Sequence, residues 1–95
     1  MAVAVILDFD GGSLDQYEQV IEKMGFGHET RGGGPGGLFH WVTKTDDGFR
    51  VTDVWQSRED FEKFAEEQIG PYSQEVGLSE PTIEFIEVHN YLSGA

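Results

Sequence analysis

Apolar and polar positions along this chain alternate in two rhythms, and the switches between them mark six elements. Val3 to Phe9 is an apolar run that predicts a buried strand, ended by Asp10, Gly11 and Gly12. From Ser13 the period lengthens. Leu14, Tyr17, Val20, Ile21 and Met24 share one helical face, Ser13 and Gln16 have capping-box spacing, and Gly25 can stop the helix. Leu38 to Thr45 and Phe49 to Gln56 return to strand rhythm, joined by Asp46, Asp47 and Gly48, a sequence suited to a short hairpin with its glycine at positive φ. In the second of these strands Val51, Asp53 and Trp55 alternate with Thr52, Val54 and Gln56, so a carboxylate and a large aromatic share a face. Ser57 and Asp60 have the spacing of a second capping box, ahead of a helix whose apolar stripe is Phe61, Phe64, Ala65 and Ile69. Gly70, Pro71 and Gly77 predict a break around a short turn from Tyr72 to Val76, and Pro81 opens a last strand, Thr82 to Leu92.

The order β-α-β-β-α-β predicts one α+β domain over residues 1–95, ferredoxin-like, with a four-stranded antiparallel sheet of order 4-1-3-2 and both helices on one face. The other face has no cover within the chain, yet the strands are apolar on both sides: Leu38 and Val42 oppose Phe39 and Trp41, and Val51 and Trp55 oppose Val54. Monomers seldom expose a contiguous apolar patch of more than a few hundred Å². A second copy of the chain is the expected cover, and two sheets packed face to face would close a homodimeric α/β barrel around a hydrophobic pocket. Between Gly25 and Gly37 seven of thirteen residues are glycine, which predicts a mobile loop that can act as a lid; His28 within it is expected to be solvated. Gly27 to Gly32 has the opening spacing of a phosphate loop, but Gly33 stands where the lysine belongs and no strand precedes it.

Composition narrows the partners. At 95 residues the domain buries only about 60–65% of its unfolded surface, so oligomerisation would help it. It has no cysteine, which excludes disulfides, thiolate metal sites and a cysteine nucleophile. Eighteen acidic against six basic residues give a formal charge of -12, which opposes nucleic acid and anionic membrane surfaces. The N-terminal apolar run is too short for a signal peptide or a membrane span, so a cytoplasmic location is expected.

Candidate chemistry gathers on the strands. Asp53 in mid-strand is costly to bury unless paired, and a desolvated carboxylate suits general base work; the competing reading is a structural hydrogen bond across the strands or an ion pair across the dimer. His40 and His89 are the histidines in predicted strands, each able to accept a proton near neutral pH, and either beside Asp53 would form a base with its orienting partner. A three-residue loop from Asp46 to Gly48 pairs Asp53 with Trp41 and Trp55 with Phe39, whereas a loop of two or four residues puts His40 on the Asp53 face. Both registers stay open at this point. Trp41, Trp55, Phe39, Phe85 and Tyr91 can line a flat aromatic cavity or fill the core of a small dimer. No paired histidine spacing supports a metal, and no cofactor is called for.

The run Asp53-Val54-Trp55-Gln56-Ser57-Arg58-Glu59-Asp60-Phe61, together with Gly37-Leu38-Phe39 opening the preceding strand, resembles the dimeric α/β barrel superfamily, the group of antibiotic biosynthesis and heme-degrading monooxygenases. The element order extends the likeness over the whole chain, and a terminal Val-His-Asn is shared with small actinobacterial members. The resemblance implies a homodimer. Heme-degrading members use an Asn on the first strand, a Trp within the second helix and a His beyond it; the last two fall at Phe64 and Gln74 here and the first strand has no Asn, so heme chemistry is disfavoured. Cofactor-free members oxidise phenolic polycyclic substrates by letting a substrate carbanion react with dioxygen. Two functions of different class follow. One is a non-catalytic dimeric module that binds a small hydrophobic or aromatic ligand, which the missing family residues favour. The other is a cofactor-independent monooxygenase or cyclase acting on a phenolic, polyketide-like substrate, with His40 or His89 as base, Asp53 orienting it or acting as base, and Trp41 and Trp55 holding the ring system.

Overall fold

The computed structural model describes residues 2–25 and 36–91. The glycine-rich loop expected above, with His28, lies almost wholly outside these residues, as does Leu92. The described elements are β1 (Val3–Asp10), α1 (Leu14–Met24), β2 (Gly37–Lys44), β3 (Gly48–Trp55), α2 (Arg58–Phe64), a π-helical turn (Ala65–Ile69), α3 (Gly70–Glu75) and β4 (Thr82–Glu87). The strands form one sheet of order β2-β3-β1-β4, antiparallel throughout, as the pattern predicts.

Alternation along the paired strands sorts the residues onto two faces. Val5, Leu7 and Phe9 of β1 lie beside Asp53, Val51 and Phe49 of β3, and this face carries the core. Phe61 of α2 is buried in it, and Tyr17 of α1, Phe64, Ala65 and Ile69 pack against it, so the predicted stripe of the second helix covers the sheet, whereas Leu14 of the first stripe is 40% exposed. Trp55 is 2% exposed and meets Phe61 and Phe64 at ring-centroid distances of 5.8 and 5.1 Å. The opposite face carries Ile6, Phe39, Trp41, Val54 and Ile86; Trp41 is 50% and Ile86 47% exposed.

Helix α1 begins as its sequence requires: the Ser13 hydroxyl accepts from the Gln16 amide and the Gln16 side chain accepts from the Ser13 amide, while Gly25 closes the helix at φ 84°. At Ser57 only half of the expected box is described, the Ser57 hydroxyl accepting from the Asp60 amide at 3.1 Å. Aspartate is a methylene shorter than the glutamate that usually reaches back. The Asp60 carboxylate instead lies beside Gly36, whose φ of 91° and lack of a Cβ admit it.

Three expectations need correction. The break at Gly70 and Pro71 does not occur: both continue a helical path from Arg58 to Glu75. A proline clashes with the carbonyl four residues back in an α-helix, and the intervening π turn, in which the Gly70 amide donates to the Ala65 carbonyl, widens the helix just ahead of Pro71. Gly48 does not take positive φ. Glycine is required there because a Cβ would collide with the Phe9 carbonyl oxygen across the β1–β3 pair. The last strand ends at Glu87 rather than Leu92, because β1 begins at Val3, which pairs with Glu87, and only the Val88 amide continues the ladder, to the Ala2 carbonyl. No helix among the described residues is long and apolar enough to cross a membrane.

Candidate functional site

The hairpin between β2 and β3 decides the site. Lys44 pairs with Phe49 and the Thr45 amide donates to the Gly48 carbonyl at 3.0 Å, so the register is the even one, with Asp46 and Asp47 at the tip. His40 therefore stands opposite Asp53 on the helix-covered face. The three-residue alternative, which pairs Asp53 with Trp41, is excluded; Trp41 pairs with Thr52 on the other face. Phe39 accordingly pairs with Val54 rather than Trp55, and a bulge between Gly37 and Phe39 brings Gly37 opposite Trp55 where the unbroken register would put Leu38.

Four side chains from three elements form one hydrogen-bonded chain. Trp55 Nε1 donates to Asp53 Oδ2 at 3.1 Å, and His40 Nδ1 lies 2.6 Å from Asp53 Oδ1. Tyr17 Oη lies 2.5 Å from His40 Nε2, with the phenol and imidazole planes 11° apart. In the neutral imidazole these partners select one tautomer: Nδ1–H donates to the carboxylate, and the Nε2 lone pair accepts from the phenol. The gradient of burial is as informative as the distances. Asp53 is 4% exposed and Trp55 2%, whereas about a third of the His40 side chain is open. The chain thus runs from a buried carboxylate out to the edge strand.

Electrostatics hold the phenol in its protonated form. Burial, then the negative charges of Glu18 and Asp53, push the Tyr17 phenol up to about 12, so it is a hydrogen-bond donor at neutral pH. Asp53 accepts from both sides, as a buried carboxylate must. At 2.6 Å from Nδ1 that carboxylate also fixes the orientation of the His40 ring.

The other predicted site residues are distributed as follows. His89 is exposed beyond the end of β4 and is not joined to Asp53 by any described hydrogen bond. Trp55 and Phe85 lie on the helix-covered face, each against Phe61, with the Arg58 guanidinium 4.0 Å above the Phe85 ring. Phe39 and Trp41 lie on the open face, and Tyr91 meets Phe39 edge-on at 5.4 Å. The five aromatics are therefore divided between the two faces and do not line one wall within the chain. Sequence reasoning missed Tyr17, assigning it only to a helical stripe. Its polar tip at the end of an apolar face, opposite a strand bearing a histidine, was the available signal. A groove of about 400 Å³ lies elsewhere, between the β1–α1 turn and the β2–β3 hairpin, lined by Gly12, Ser13, Lys44 and Asp46 among others. No group of three or more potential ligands is placed to hold a metal among the described residues.

This sheet, with its two helical segments on one face, is the ferredoxin-like α+β fold of the antibiotic biosynthesis monooxygenase-like proteins. Among solved structures the chain is similar to SnoaB, a cofactor-independent oxygenase from Streptomyces nogalater, at 19% identity and a TM-score of 0.59, covering 98% of this chain and 97% of that one. It is similar to the ActVA-Orf6 monooxygenase of Streptomyces coelicolor, solved with the ligand nanaomycin D, at 18% identity and a TM-score of 0.52 over 99% and 92% of the two chains. A Deinococcus radiodurans protein assigned to the antibiotic biosynthesis monooxygenases aligns over 100% and 99% at 10% identity and a TM-score of 0.55. At these identities the likeness shows the fold. The sequence matches no protein-family model and no curated protein.

Proposed function

We propose that this chain is a cofactor-independent monooxygenase that removes a proton from a phenolic, polycyclic aromatic substrate and lets the resulting carbanion react with dioxygen. The observation that carries this reading is the chain Tyr17–His40–Asp53–Trp55, a proton acceptor with its orienting carboxylate, open at one end and buried at the other. The names of the structural neighbours SnoaB and ActVA-Orf6 support the reaction class. For a methylene flanked by two rings the balance is simple. His40 accepts one proton, the carbanion reduces dioxygen and bonds to it, and loss of water leaves a carbonyl: CH2 plus dioxygen gives C=O plus water, with no external reductant.

A homodimer completes the proposal, its interface formed by the open sheet face with Trp41, Val54 and Ile86, and a cytoplasmic location is part of the same reading. The test is dioxygen uptake with a dihydroxyanthrone as substrate. One dioxygen should be consumed per anthrone oxidised, and His40→Gln should lower kcat by about 10²-fold or more, the usual weight of a positioned base. A second reading, ligand binding without catalysis, is favoured by one observation: both ring nitrogens of His40 and both oxygens of Asp53 already have protein partners, as a purely structural cross-link would. Saturable binding of the anthrone with no uptake above the uncatalysed rate, unchanged in His40→Gln, would establish that reading instead.

A further inference from the structure

His40 has no free lone pair. Its Nδ1 is turned to Asp53 at 2.6 Å and its Nε2 to the Tyr17 hydroxyl at 2.5 Å, so a substrate proton has no direct route to the imidazole without displacing one of them. Asp53 is buried and cross-strand to His40, which fixes that end. Tyr17 is held as well: its ring packs edge-on against Phe49 at 5.7 Å and lies nearly parallel to the imidazole, on a helix capped at both ends. The phenol oxygen donates one proton to His40 and keeps acceptor capacity. Half-buried at the end of the chain, it is therefore the one member that keeps the capacity to accept a further hydrogen bond from a ligand.

We infer that Tyr17 is the residue that meets the substrate, and that it relays the substrate's proton to His40 while passing on its own. This rests on His40 being the terminal proton acceptor, as proposed above. The step balances without a redox partner. The substrate O–H or C–H bond breaks, its proton forms a new O–H bond at Tyr17 Oη, and the original Tyr17 proton moves to His40 Nε2. The substrate becomes an anion, the imidazole an imidazolium beside the Asp53 carboxylate, and Tyr17 is neutral before and after. The high proton affinity of the phenol, raised by burial and by Glu18 and Asp53, keeps Tyr17 from standing as a free phenolate between steps. The ligand class is thus an acidic phenol or enol able to donate to a tyrosine oxygen.

The experiment uses para-nitrophenol, whose absorption reports its ionisation, bound to the full-length protein about one pH unit below its free pKa. Wild type should bind it with the nitrophenolate band developed. Tyr17→Phe should still bind, with at least a roughly tenfold smaller ionised fraction, and should lower kcat for a dihydroxyanthrone about 10²-fold with KM within about twofold. A fluorinated tyrosine at position 17, which keeps the hydroxyl, should restore the band; this rescue separates relay from folding. A Tyr17→Phe protein that keeps the band while His40→Gln loses it overturns the relay and leaves His40 as direct base. A band kept in both variants, or not formed or no probe bound in wild type, overturns the proposed function along with the relay.

Discussion

Asp53→Asn separates the packing role of the carboxylate from its electrostatic one, since the side chain keeps its shape. The amide offers one accepting oxygen and one NH2 group where the carboxylate offers two acceptors. The Trp55 indole N–H is a donor only, and with Trp55 2% exposed it must meet the oxygen. The NH2 then faces His40 Nδ1, which can accept only if the imidazole carries its proton on Nε2. That proton donates to the Tyr17 oxygen. Every group keeps a partner, and the direction of the chain is reversed. The cost is the difference between charge-assisted and neutral hydrogen bonds, about 1 kcal/mol, which for a domain of this size lowers Tm by about 4–8 °C. The chemical cost is far larger, because the imidazole now offers a donor where the reaction needs an acceptor. The corresponding change in serine proteases costs about 10⁴-fold in kcat through the same wrong tautomer. Nitrogen NMR of the imidazole, a thermal melt and the anthrone assay together test this. A destabilisation above about 3 kcal/mol, or an Nδ1-protonated imidazole in the variant, would refute the reasoning.

Four further outcomes follow from particular residues. Because the Tyr17 phenol is raised to about 12 in the folded chain, against about 10 when unfolded, its contribution to stability is complete below pH 10 and lost as pH rises through 12; unfolding free energy should fall more steeply over that window in wild type than in Tyr17→Phe, with tyrosinate absorbance as the second readout. Gly70→Ala should destabilise by about 1 kcal/mol in a denaturant titration rather than gain the usual helical preference for alanine, since Gly70 has right-handed helical φ and ψ and a Cβ there would crowd the Cδ of Pro71 that follows it. Trp41→Glu places a charge on the proposed dimer face and should convert the species seen by sedimentation from dimer to monomer without changing the far-ultraviolet spectrum; a wild type that sediments as a monomer at micromolar concentration refutes that interface. The triple variant His40→Val, Asp53→Val, Trp55→Phe should lie no more than about 2 kcal/mol below wild type in stability, the cavity at Trp55 included, while His40→Ala alone should be destabilised by about 3 kcal/mol.

The fold was legible because its signals are local. Ser13 with Gln16, the alternation from Val51 to Trp55 and the stripe from Phe61 to Ile69 each act within a few residues, and the burial of Val5, Leu7, Phe49 and Phe61 follows from them. The break predicted at Gly70 and Pro71 failed because a proline's clash is judged against an α-helix, and one π turn removes the clash without a sequence mark of its own. The site was legible only in part. Asp53 and His40 were identifiable as chemistry-bearing residues, but whether they share a face turned on the parity of one hairpin, a property of the Thr45–Gly48 hydrogen bond rather than of composition. Tyr17 was missed for another reason. Its partner lies 23 residues away on another element, and only the packing of α1 against the sheet brings phenol to imidazole.

The triple variant bears on why the network exists at all. A buried carboxylate carries a desolvation cost of several kcal/mol that its partners must offset, and replacement of such a group by packed hydrophobic residues is often neutral or stabilising. In this sheet the neighbours of Asp53 on the covered face are Val5, Val51 and Trp55, an environment in which a valine would sit without loss. Trp55→Phe removes an N–H that no carboxylate would then meet, at a cavity cost of about 1 kcal/mol for the smaller ring at this buried site. A fold that needed only a core would have no use for the pair. The arrangement instead holds a carboxylate against Nδ1 of an imidazole and leaves Nε2 to the half-buried phenol of Tyr17, which is what proton uptake from an outside donor requires. If the triple variant is less stable than wild type by more than about 2 kcal/mol, that argument fails and the network is a structural cross-link; if it matches wild type while binding phenols without ionising them, stability does not account for the chain and proton transfer does.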